Sequence, residues 1–166
     1  MNEIKIVIID VDGVLTDGRI MLDANGNESK IFYVQDGTGI TYLHRAGIKT
    51  AIISGRESKA VAHRAKELGI EDVYQGIHNK IEAYEKILKK HKIKDNEICY
   101  IGDDLIDLPI LRRVGFSVAV PNAVLEVKKS VSYVTSAPGG YGAIREVTEK
   151  ILKSQGKWDM VISRYY

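Results

Sequence analysis

Two aspartates, Asp10 and Asp12, follow directly on the first apolar segment of the chain and precede Gly13. Residues 4–9 form a short segment rich in β-branched side chains, which is typical of a strand buried on both faces in a parallel sheet. Alternate residues of a strand point the same way, so both carboxylates converge at the carboxyl end of this strand, where Gly13 permits a sharp turn. Because paired carboxylates are costly to desolvate without a cation, the pattern predicts a divalent-metal site.

Two later apolar segments, residues 49–53 and 99–101, also end in polar residues. These residues are Ser54, Gly55, Arg56, Gly102, Asp103 and Asp104. The carboxyl ends of neighbouring parallel strands meet at one edge of a sheet, where ligands bind in open α/β proteins, so we expect the three clusters to converge. The oxygens of Asp10, Asp12 and Asp103 would then supply the ligands that Mg²⁺ prefers.

Several of these side chains also have purely structural interpretations. Ser54, with the free N–H groups of the helix that follows, suits a phosphate, but Ser54 and Glu57 also have the spacing of a capping box. Asp107, two residues before a proline, fits a helix N-cap, and Asp104 could simply be solvated. Lys80 in the first turn of a predicted helix opposes the helix dipole, which favours an anion nearby, although this effect is at most about 1 kcal/mol.

Strands and helices alternate along the chain, which predicts one doubly wound α/β domain over residues 1–166, Rossmann-like, with a mainly parallel sheet. The predicted strands are 4–9, 49–53, 73–75, 99–101, 118–120 and 131–134. The longer predicted helices are 36–46, one ending at 68, 79–90, one from about 107, and 142–155. Residues 19–22 and 29–34 flank an Asn-Gly turn, which predicts a protruding β-hairpin over about 19–34 that serves as a flap, an oligomer contact, or both.

The composition restricts the class of protein. The 166 residues suit a single domain with a full core, and the net charge of +2 does not indicate a nucleic-acid partner. The single cysteine, Cys99, excludes an intramolecular disulfide and is expected to be a buried apolar residue. The first residues lack the features of a signal peptide and no apolar run is long enough to span a bilayer, so we expect a cytoplasmic protein with no membrane partner.

Four motifs, in order, resemble those of the haloacid dehalogenase superfamily of phosphohydrolases. They are Asp10-Val-Asp-Gly-Val-Leu-Thr, Ser54-Gly55, Lys80 at a helix start, and Gly102-Asp103-Asp104-Leu-Ile-Asp107. Further segments extend the resemblance over the whole chain to the 3-deoxy-D-manno-octulosonate 8-phosphate phosphatases, the members with no large cap domain. Among these segments are Tyr33-Val-Gln-Asp-Gly, Tyr74-Gln-Gly and Gly139-Gly-Tyr-Gly-Ala-Ile-Arg-Glu.

The resemblance implies hydrolysis of this sugar phosphate, in lipopolysaccharide sugar synthesis, through an aspartyl-phosphate intermediate. Asp10 would be the nucleophile, and Mg²⁺ would be held by Asp10, Asp103 and the backbone carbonyl of Asp12. The Asp12 side chain would protonate the leaving oxygen and then deprotonate the attacking water. Ser54 and Lys80 would hold the transferring phosphoryl oxygens.

The resemblance also implies supporting and substrate-binding residues. Asp107 would orient Lys80, and Asp104 would support the metal ligands. The implied substrate-binding residues are Asp12, Tyr33, Val34, Gln35, Asp36, Gly37, Gly55, Arg56, Arg64 and Lys80. Arg56 and Arg64 match positions at which a guanidinium meets the substrate carboxylate, although Arg64 alone would be interpreted as a helix-surface residue.

One departure and three alternatives stay open. Where the family often carries a basic residue, this chain has Thr41, which bears on the sugar and not on the phosphatase chemistry. The first alternative is therefore a phosphatase for another sugar acid, such as a nine-carbon, sialic-acid-type phosphate. The second is a phospho-receiver domain, a class that lacks a second carboxylate placed as Asp12 is. The third is a regulatory or structural pseudo-enzyme.

The family resemblance further implies a homotetramer in which hairpins and C-terminal tails of neighbours close each site. The tail over residues 156–166 contains Trp158, Tyr165 and Tyr166, which are costly to leave in water, and is the candidate for this closure. The alternative is that the tail packs on its own subunit.

Overall fold

The computed structural model describes residues 3–166, and a six-stranded sheet lies at its centre. Its strands are β1 (Ile6–Ile9), β4 (Lys49–Ile53), β5 (Asp72–Tyr74), β6 (Ile98–Gly102), β7 (Phe116–Ala119) and β8 (Tyr133–Val134). The spatial order is β5-β4-β1-β6-β7-β8 and every pairing is parallel. The doubly wound, parallel α/β fold predicted from the sequence is confirmed. Its two central strands, β1 and β6, are followed directly by Asp10 and Asp103.

Seven α-helices surround this sheet in the described part of the chain. They are α1 (Val34–Arg45), α2 (Lys59–Glu67), α3 (Lys80–His91), α4 (Leu108–Leu111), α5 (Leu125–Lys128), α6 (Ala143–Ser154) and α7 (Trp158–Ile162). Every residue of β1 and β6 is buried, so helices cover both faces of the central strands. Among residues 3–166, no helix combines the length and the apolar character needed to cross a membrane.

A short antiparallel hairpin leaves the sheet between β1 and α1. Its strands are β2 (Met21–Leu22) and β3 (Glu28–Ser29), so the predicted hairpin is present but each strand has only two residues. The second predicted strand, 29–34, is wrong beyond Ser29, because Val34 already belongs to α1, which begins two residues before the predicted start at residue 36. Within the described residues, a helical turn, Val11–Leu15, and this hairpin are the elements between β1 and α1, and there is no cap domain.

The segment after β4 differs from the prediction. The prediction of a capping box at Ser54 and Glu57 is wrong. Helix α2 begins at Lys59, and the Ser58 hydroxyl accepts the capping hydrogen bond from the Val61 N–H at 3.5 Å. The Ser54 backbone instead bonds to β5 and to the chain after it: its N–H donates to Tyr74 O at 2.8 Å, and its carbonyl accepts from Ile77 N–H at 3.0 Å. Residues 54–58 are thereby held as a loop at the sheet edge.

The C-terminal tail folds as α7 and a short 3₁₀ turn, Ser163–Tyr165. Trp158 packs edge-on against Tyr42 of α1 at a centroid distance of 6.1 Å, and Tyr165 lies 6.2 Å from the same ring. Arg45 donates to the Tyr165 hydroxyl at 2.9 Å. Within one subunit the tail thus packs on α1, as in the alternative stated above.

Candidate active site

The strand register brings the three polar clusters to one edge of the sheet. Ile9 of β1 lies opposite Ile52 of β4 on one side and Ile101 of β6 on the other. Asp10 therefore leaves the sheet between the ends of β4 and β6. The predicted convergence is confirmed for Asp10 and Asp103, whose carboxylates lie within 4.8 Å of each other. Lys80 and Asp107 join this cluster, and Lys80 contacts both Asp10 and Asp107.

Lys80, the first residue of α3, bridges two aspartates. Its Nζ donates to Asp10 Oδ1 and to Asp107 Oδ1, each at 2.7 Å, and the residue is 3% exposed. Burial favours the neutral amine, but attraction to both carboxylates outweighs it and raises the pKa of Lys80, so the lysine stays charged. Its position against the helix dipole is explained by these two anions.

Asp107 supports the cluster from within and does not cap α4 as one interpretation predicted. Its Oδ1 accepts from the Tyr100 hydroxyl at 2.6 Å, and its Oδ2 accepts from the N–H groups of Asp103 and Asp104 at 3.0 and 3.2 Å. The side chain makes no capping hydrogen bond to α4. The cap nearby belongs to the exposed Asp104, whose Oδ1 accepts from Leu105 N–H at 2.7 Å and whose own N–H donates to Asp107, so its support of the metal ligands stays a prediction.

Two glycines permit the close approach of these carboxylates. Gly13 has φ +93°, and a Cβ there would overlap Asp103 Oδ2. A Cβ on Gly102 would lie 2.6 Å from Asp107 Cγ, closer than carbon atoms can pack. Asn122 holds the turn, because its Nδ2 donates to Gly13 O at 2.8 Å. The turn predicted at Gly13 is confirmed.

The electrostatics of this cluster fit a divalent cation. Burial, followed by repulsion from Asp10 and Asp107, raises the pKa of Asp103, and burial raises the pKa of Asp10 although Lys80 opposes it. Ligand oxygens of Asp10, Asp103 and Asp107 lie within 4.8 Å of one another. Since both oxygens of Asp107 already accept hydrogen bonds, Asp10 and Asp103 are the side chains that fit a metal such as Mg²⁺.

The Asp12 side chain points away from this cluster into a second set of charges. Its Oδ1 accepts from Lys30 Nζ at 2.5 Å. Lys30 also pairs with Glu28 Oε1 at 3.0 Å, and Glu28 Oε2 accepts from Arg56 Nη2 at 2.6 Å. Glu28 and Lys30 were missed in the sequence analysis, although two charges two residues apart on a strand point the same way and could have been recognised as a pair.

The loop Tyr33–Gly37 is only partly available to a ligand. Asp36 is fully buried, and its carboxylate accepts from the N–H groups of Gly142 and Arg145 at 3.2 and 2.9 Å. This side chain caps α6, and the assignment of Asp36 as a substrate contact stays a prediction. The side chains of Tyr33, Val34 and Gln35 are exposed, and Gly37 is buried against the guanidinium of Arg64.

The two candidate arginines lie in different places. Arg56 joins the Asp12 charges, with Nε 3.8 Å from Asp12 Oδ2, and its N–H donates to Ser54 Oγ at 3.3 Å across Gly55. Arg64 contacts Glu67 at 2.8 Å, and its guanidinium lies over the Phe32 ring in a groove beside α1. Within this subunit the contacts of Arg64 do not include the aspartate cluster.

Comparisons with known proteins agree with this geometry. A family model described as haloacid dehalogenase-like hydrolase matches residues 69–142. The 3-deoxy-D-manno-octulosonate 8-phosphate phosphatase of Escherichia coli K12 is 46% identical over 158 residues, which cover 95% of this chain and 84% of that protein.

Two solved structures extend the similarity to the whole fold. One is a 3-deoxy-D-manno-octulosonate 8-phosphate phosphatase from Moraxella catarrhalis in complex with magnesium ion, phosphate ion and KDO, with TM-score 0.96 and 45% identity over 98% of this chain and 94% of that one. The other is the cobalt-bound deoxy-D-mannose-octulosonate 8-phosphate phosphatase from Haemophilus influenzae, with TM-score 0.90 and 44% identity over 93% and 91% of the chains.

Proposed function

Because this chain belongs to the 3-deoxy-D-manno-octulosonate 8-phosphate phosphatases, among the haloacid dehalogenase-like hydrolases, we propose that it hydrolyses this sugar phosphate to 3-deoxy-D-manno-octulosonate and phosphate. The reaction is that of a phosphomonoesterase and serves lipopolysaccharide sugar synthesis. One observation carries the proposal: the ammonium of Lys80 lies between Asp10 and Asp107 at the edge of the sheet, beside a third carboxylate, Asp103.

Mg²⁺ fits the carboxylates of Asp10 and Asp103, with the backbone carbonyl of Asp12 as a third ligand. When bound, the ion offsets the repulsion between the substrate phosphate and the attacking carboxylate. Lys80 adds a fixed positive charge on the same carboxylate, at 2.7 Å. Asp10 is thereby kept ionised and oriented for attack.

Asp10 and Asp12 have different roles in the two chemical steps: Asp10 is the nucleophile, and Asp12 is the acid and then the base. Asp10 Oδ forms a bond to phosphorus as the bond to the sugar oxygen breaks, and that oxygen takes its proton from Asp12. A water oxygen then attacks the aspartyl-phosphate and gives its proton to Asp12, which releases inorganic phosphate and restores the Asp10 carboxylate. The side chain of Asp12 suits this role because Lys80 and the Asp103 carboxylate contact Asp10 and not Asp12.

The phosphoryl oxygens contact Lys80, the Ser54 hydroxyl and the loop N–H of Gly55 in this proposal. Ser54 is 3% exposed and lies at the carboxyl end of β4, beside the end of β1. Preorganised donors of this kind stabilise charge that develops on the transferring group.

The substrate carboxylate requires a guanidinium, and Arg56 is placed to supply it. It is half exposed beside Asp12, whereas Arg64 lies in the groove against Phe32 and Gly37. We propose that the exposed side chains of Tyr33, Val34 and Gln35 contact the sugar. The hairpin would then lie along one side of the bound sugar.

A second substrate class is favoured by one residue. Thr41 lines the groove of Arg64, with its hydroxyl donating to Gly37 O at 3.2 Å, where the family often carries a basic side chain. A phosphate of a nine-carbon, sialic-acid-type sugar is therefore the second candidate substrate.

A homotetramer is the assembly we propose. Five large apolar side chains of the hairpin and the start of α1 are 48–75% exposed. They are Ile20, Met21, Leu22, Ile31 and Val34. Such a patch is typical of a protein interface. The tail contributes by packing on α1 in its own subunit, and we propose a cytoplasmic location, to be checked by cell fractionation.

Phosphate release tests the proposed function. Purified protein with Mg²⁺ is assayed on 3-deoxy-D-manno-octulosonate 8-phosphate, a sialic-acid-type phosphate, other sugar phosphates and an aryl phosphate, with Asp10→Asn as the control. Preference for the octulosonate supports the proposal, and preference for the nine-carbon sugar supports the second candidate. Activity no higher than that of Asp10→Asn would contradict both and favour a receiver or a pseudo-enzyme.

A further inference from the structure

A buried lysine connects the hairpin to Asp12. The Lys30 side chain is 1% exposed although it follows the two-residue strand β3 on an otherwise exposed hairpin. Immobilising a lysine side chain costs roughly 2 kcal/mol of conformational entropy, and its charge must be paired when buried. The ammonium is paired with Asp12 Oδ1 at 2.5 Å and with Glu28 Oε1 at 3.0 Å.

The charges form a closed ring of four residues. Glu28 joins Lys30 through one oxygen and Arg56 through the other, at 3.0 and 2.6 Å, and Arg56 Nε returns to Asp12 at 3.8 Å. This last distance is too long for a hydrogen bond. Three separate segments of chain, the turn after β1, the hairpin and the loop after β4, are therefore fixed to one another through these side chains.

The two carboxylate oxygens of Asp12 have different partners in this ring. Oδ1 accepts the hydrogen bond from Lys30, whereas Oδ2 accepts none from any residue between 3 and 166. A carboxylate held by one oxygen has a fixed plane, so the direction of the other oxygen is also fixed. A proton-transfer group must be held within a few tenths of an ångström of the reacting atom to be effective.

We propose that Lys30 is a positioning residue for the proposed acid–base Asp12: it holds Oδ1 so that Oδ2 transfers the proton. The inference rests on the proposed function. In the first step Oδ2–H gives its proton to the leaving sugar oxygen as that oxygen separates from phosphorus. In the second step Oδ2 takes the proton of the water that attacks the aspartyl-phosphate. Glu28 keeps Lys30 in place and holds Arg56 alongside.

An aryl phosphate separates this role from a general loss of structure. The 4-nitrophenolate group leaves without needing a proton, so its release in the first step does not depend on Asp12. Hydrolysis of the aspartyl-phosphate still depends on Asp12 as the base. Lys30→Met is therefore expected to release one equivalent of nitrophenol in a rapid burst and then turn over at least about tenfold more slowly than wild type. The decrease should not exceed the roughly 10²–10⁴-fold that acid–base catalysis contributes in full.

The experiment includes three further variants. Arg19→Met removes an exposed cation near the same hairpin that forms an ion pair with Asp17, and wild-type kinetics are expected. Lys30→Arg keeps a cation between the two carboxylates and is expected to recover part of the steady rate. Glu28→Gln removes the charge of one carboxylate paired with Lys30 but keeps the lysine. We expect a burst followed by a smaller decrease in the steady rate than in Lys30→Met. This variant serves as the test if Lys30→Met does not fold.

The outcomes distinguish this inference from the proposed function. A burst with slow turnover, and with kcat/KM for the aryl phosphate within about twofold of wild type because the first step is unchanged, supports the positioning role. Wild-type turnover in Lys30→Met, or a loss that appears in KM without a burst, overturns it while the proposed function stands. A wild-type chain that releases no phosphate from any substrate overturns both.

Discussion

Lys80 and Asp107 form a buried ion pair, Nζ to Oδ1 at 2.7 Å, behind the carboxylate of Asp10. The pair is 27 residues apart in sequence and joins the first turn of α3 to the chain after β6. Removing one partner of such a pair is strongly destabilising, by about 3–5 kcal/mol, because the other charge is left buried and alone. The orientation of Lys80 toward Asp10 therefore depends on groups that never touch the substrate.

Tyr100→Phe tests this dependence with a minimal change. The hydroxyl donates to Asp107 Oδ1 at 2.6 Å, so its loss removes a hydrogen bond to a charged group, worth about 1.5–3 kcal/mol, and loosens Lys80. We expect kcat to fall by roughly tenfold for each 1.4 kcal/mol of transition-state stabilisation that is lost. Tyr84→Phe is the control, because its buried hydroxyl donates to Asp95 at 2.7 Å outside the site. Equal kcat values in the two variants would contradict the role of Tyr100.

Asp103→Asn is expected to separate stability from metal binding. Asp103 lies against Asp10, and repulsion between them opposes folding in the absence of a cation. Without metal the variant should unfold at a higher temperature than wild type, and addition of Mg²⁺ should raise the Tm of wild type only. Thermal unfolding with EDTA and with Mg²⁺ measures both. Asp159→Asn, at an exposed position on α7, is the control, and a lost Mg²⁺ response in this control would contradict the assignment.

The strand-end residues of the site could be predicted because parallel strands share an edge, whatever the details of the loops. Asp10 and Asp103 follow from that rule, whereas Lys80 was indicated by its place against the helix dipole and the role of Asp107 by the family resemblance. The missed residues depend on tertiary contacts. The spacing of Glu28 and Lys30 indicates a pair, but it does not show that Asp12 is their partner.

Local patterns misled where tertiary contacts took precedence. The spacing of Ser54 and Glu57 matched a capping box, but hydrogen bonds to β5 and to the chain after it hold the loop open, and Ser58 caps α2. The Asp36 side chain, which the family resemblance alone singled out, caps α6 more than a hundred residues later in the chain, a contact that no local spacing indicates. In both cases a distant backbone segment, invisible to local spacing, decided the role.

Leu22→Asp tests the assembly. Leu22 is 59% exposed on the hairpin, and a charge placed in an apolar interface disrupts association. We expect light scattering to show a tetramer for wild type and a smaller species for the variant. Asn25→Asp adds the same charge to the hairpin turn without removing apolar surface and should remain tetrameric. A monomeric wild type would contradict the proposed assembly.

A second cluster of ion pairs lies at Asp72, the first residue of β5, and we expect it to make stability depend on pH. Burial raises the pKa of Asp72, but bonds from Lys90 at 2.7 Å and His91 at 2.6 Å outweigh it, and the net shift is downward. A lowered pKa stabilises the fold above about pH 4, the ordinary value, and this contribution is lost as pH falls through the lower folded pKa.

Asp72→Asn should therefore destabilise the protein by about 1–3 kcal/mol at pH 7, with the difference shrinking below pH 4. Urea unfolding at several pH values measures it. Asp159→Asn, at an exposed position on α7, is the control and should differ little from wild type at any pH. A pH-independent difference for Asp72→Asn would contradict the ionic origin.

Trapping the intermediate tests the central claim that Asp10 is the nucleophile and Asp12 the acid–base. Asp12→Asn is mixed with Mg²⁺ and ³²P-labelled 4-nitrophenyl phosphate, whose leaving group needs no proton from Asp12, then quenched in acid within milliseconds to seconds and digested for peptide mapping. The account predicts label on Asp10, accumulating because the amide that replaces the Asp12 carboxylate cannot activate water, and no label in Asp10→Asn. Label on any other residue, or turnover by Asp12→Asn at the wild-type rate, would contradict it.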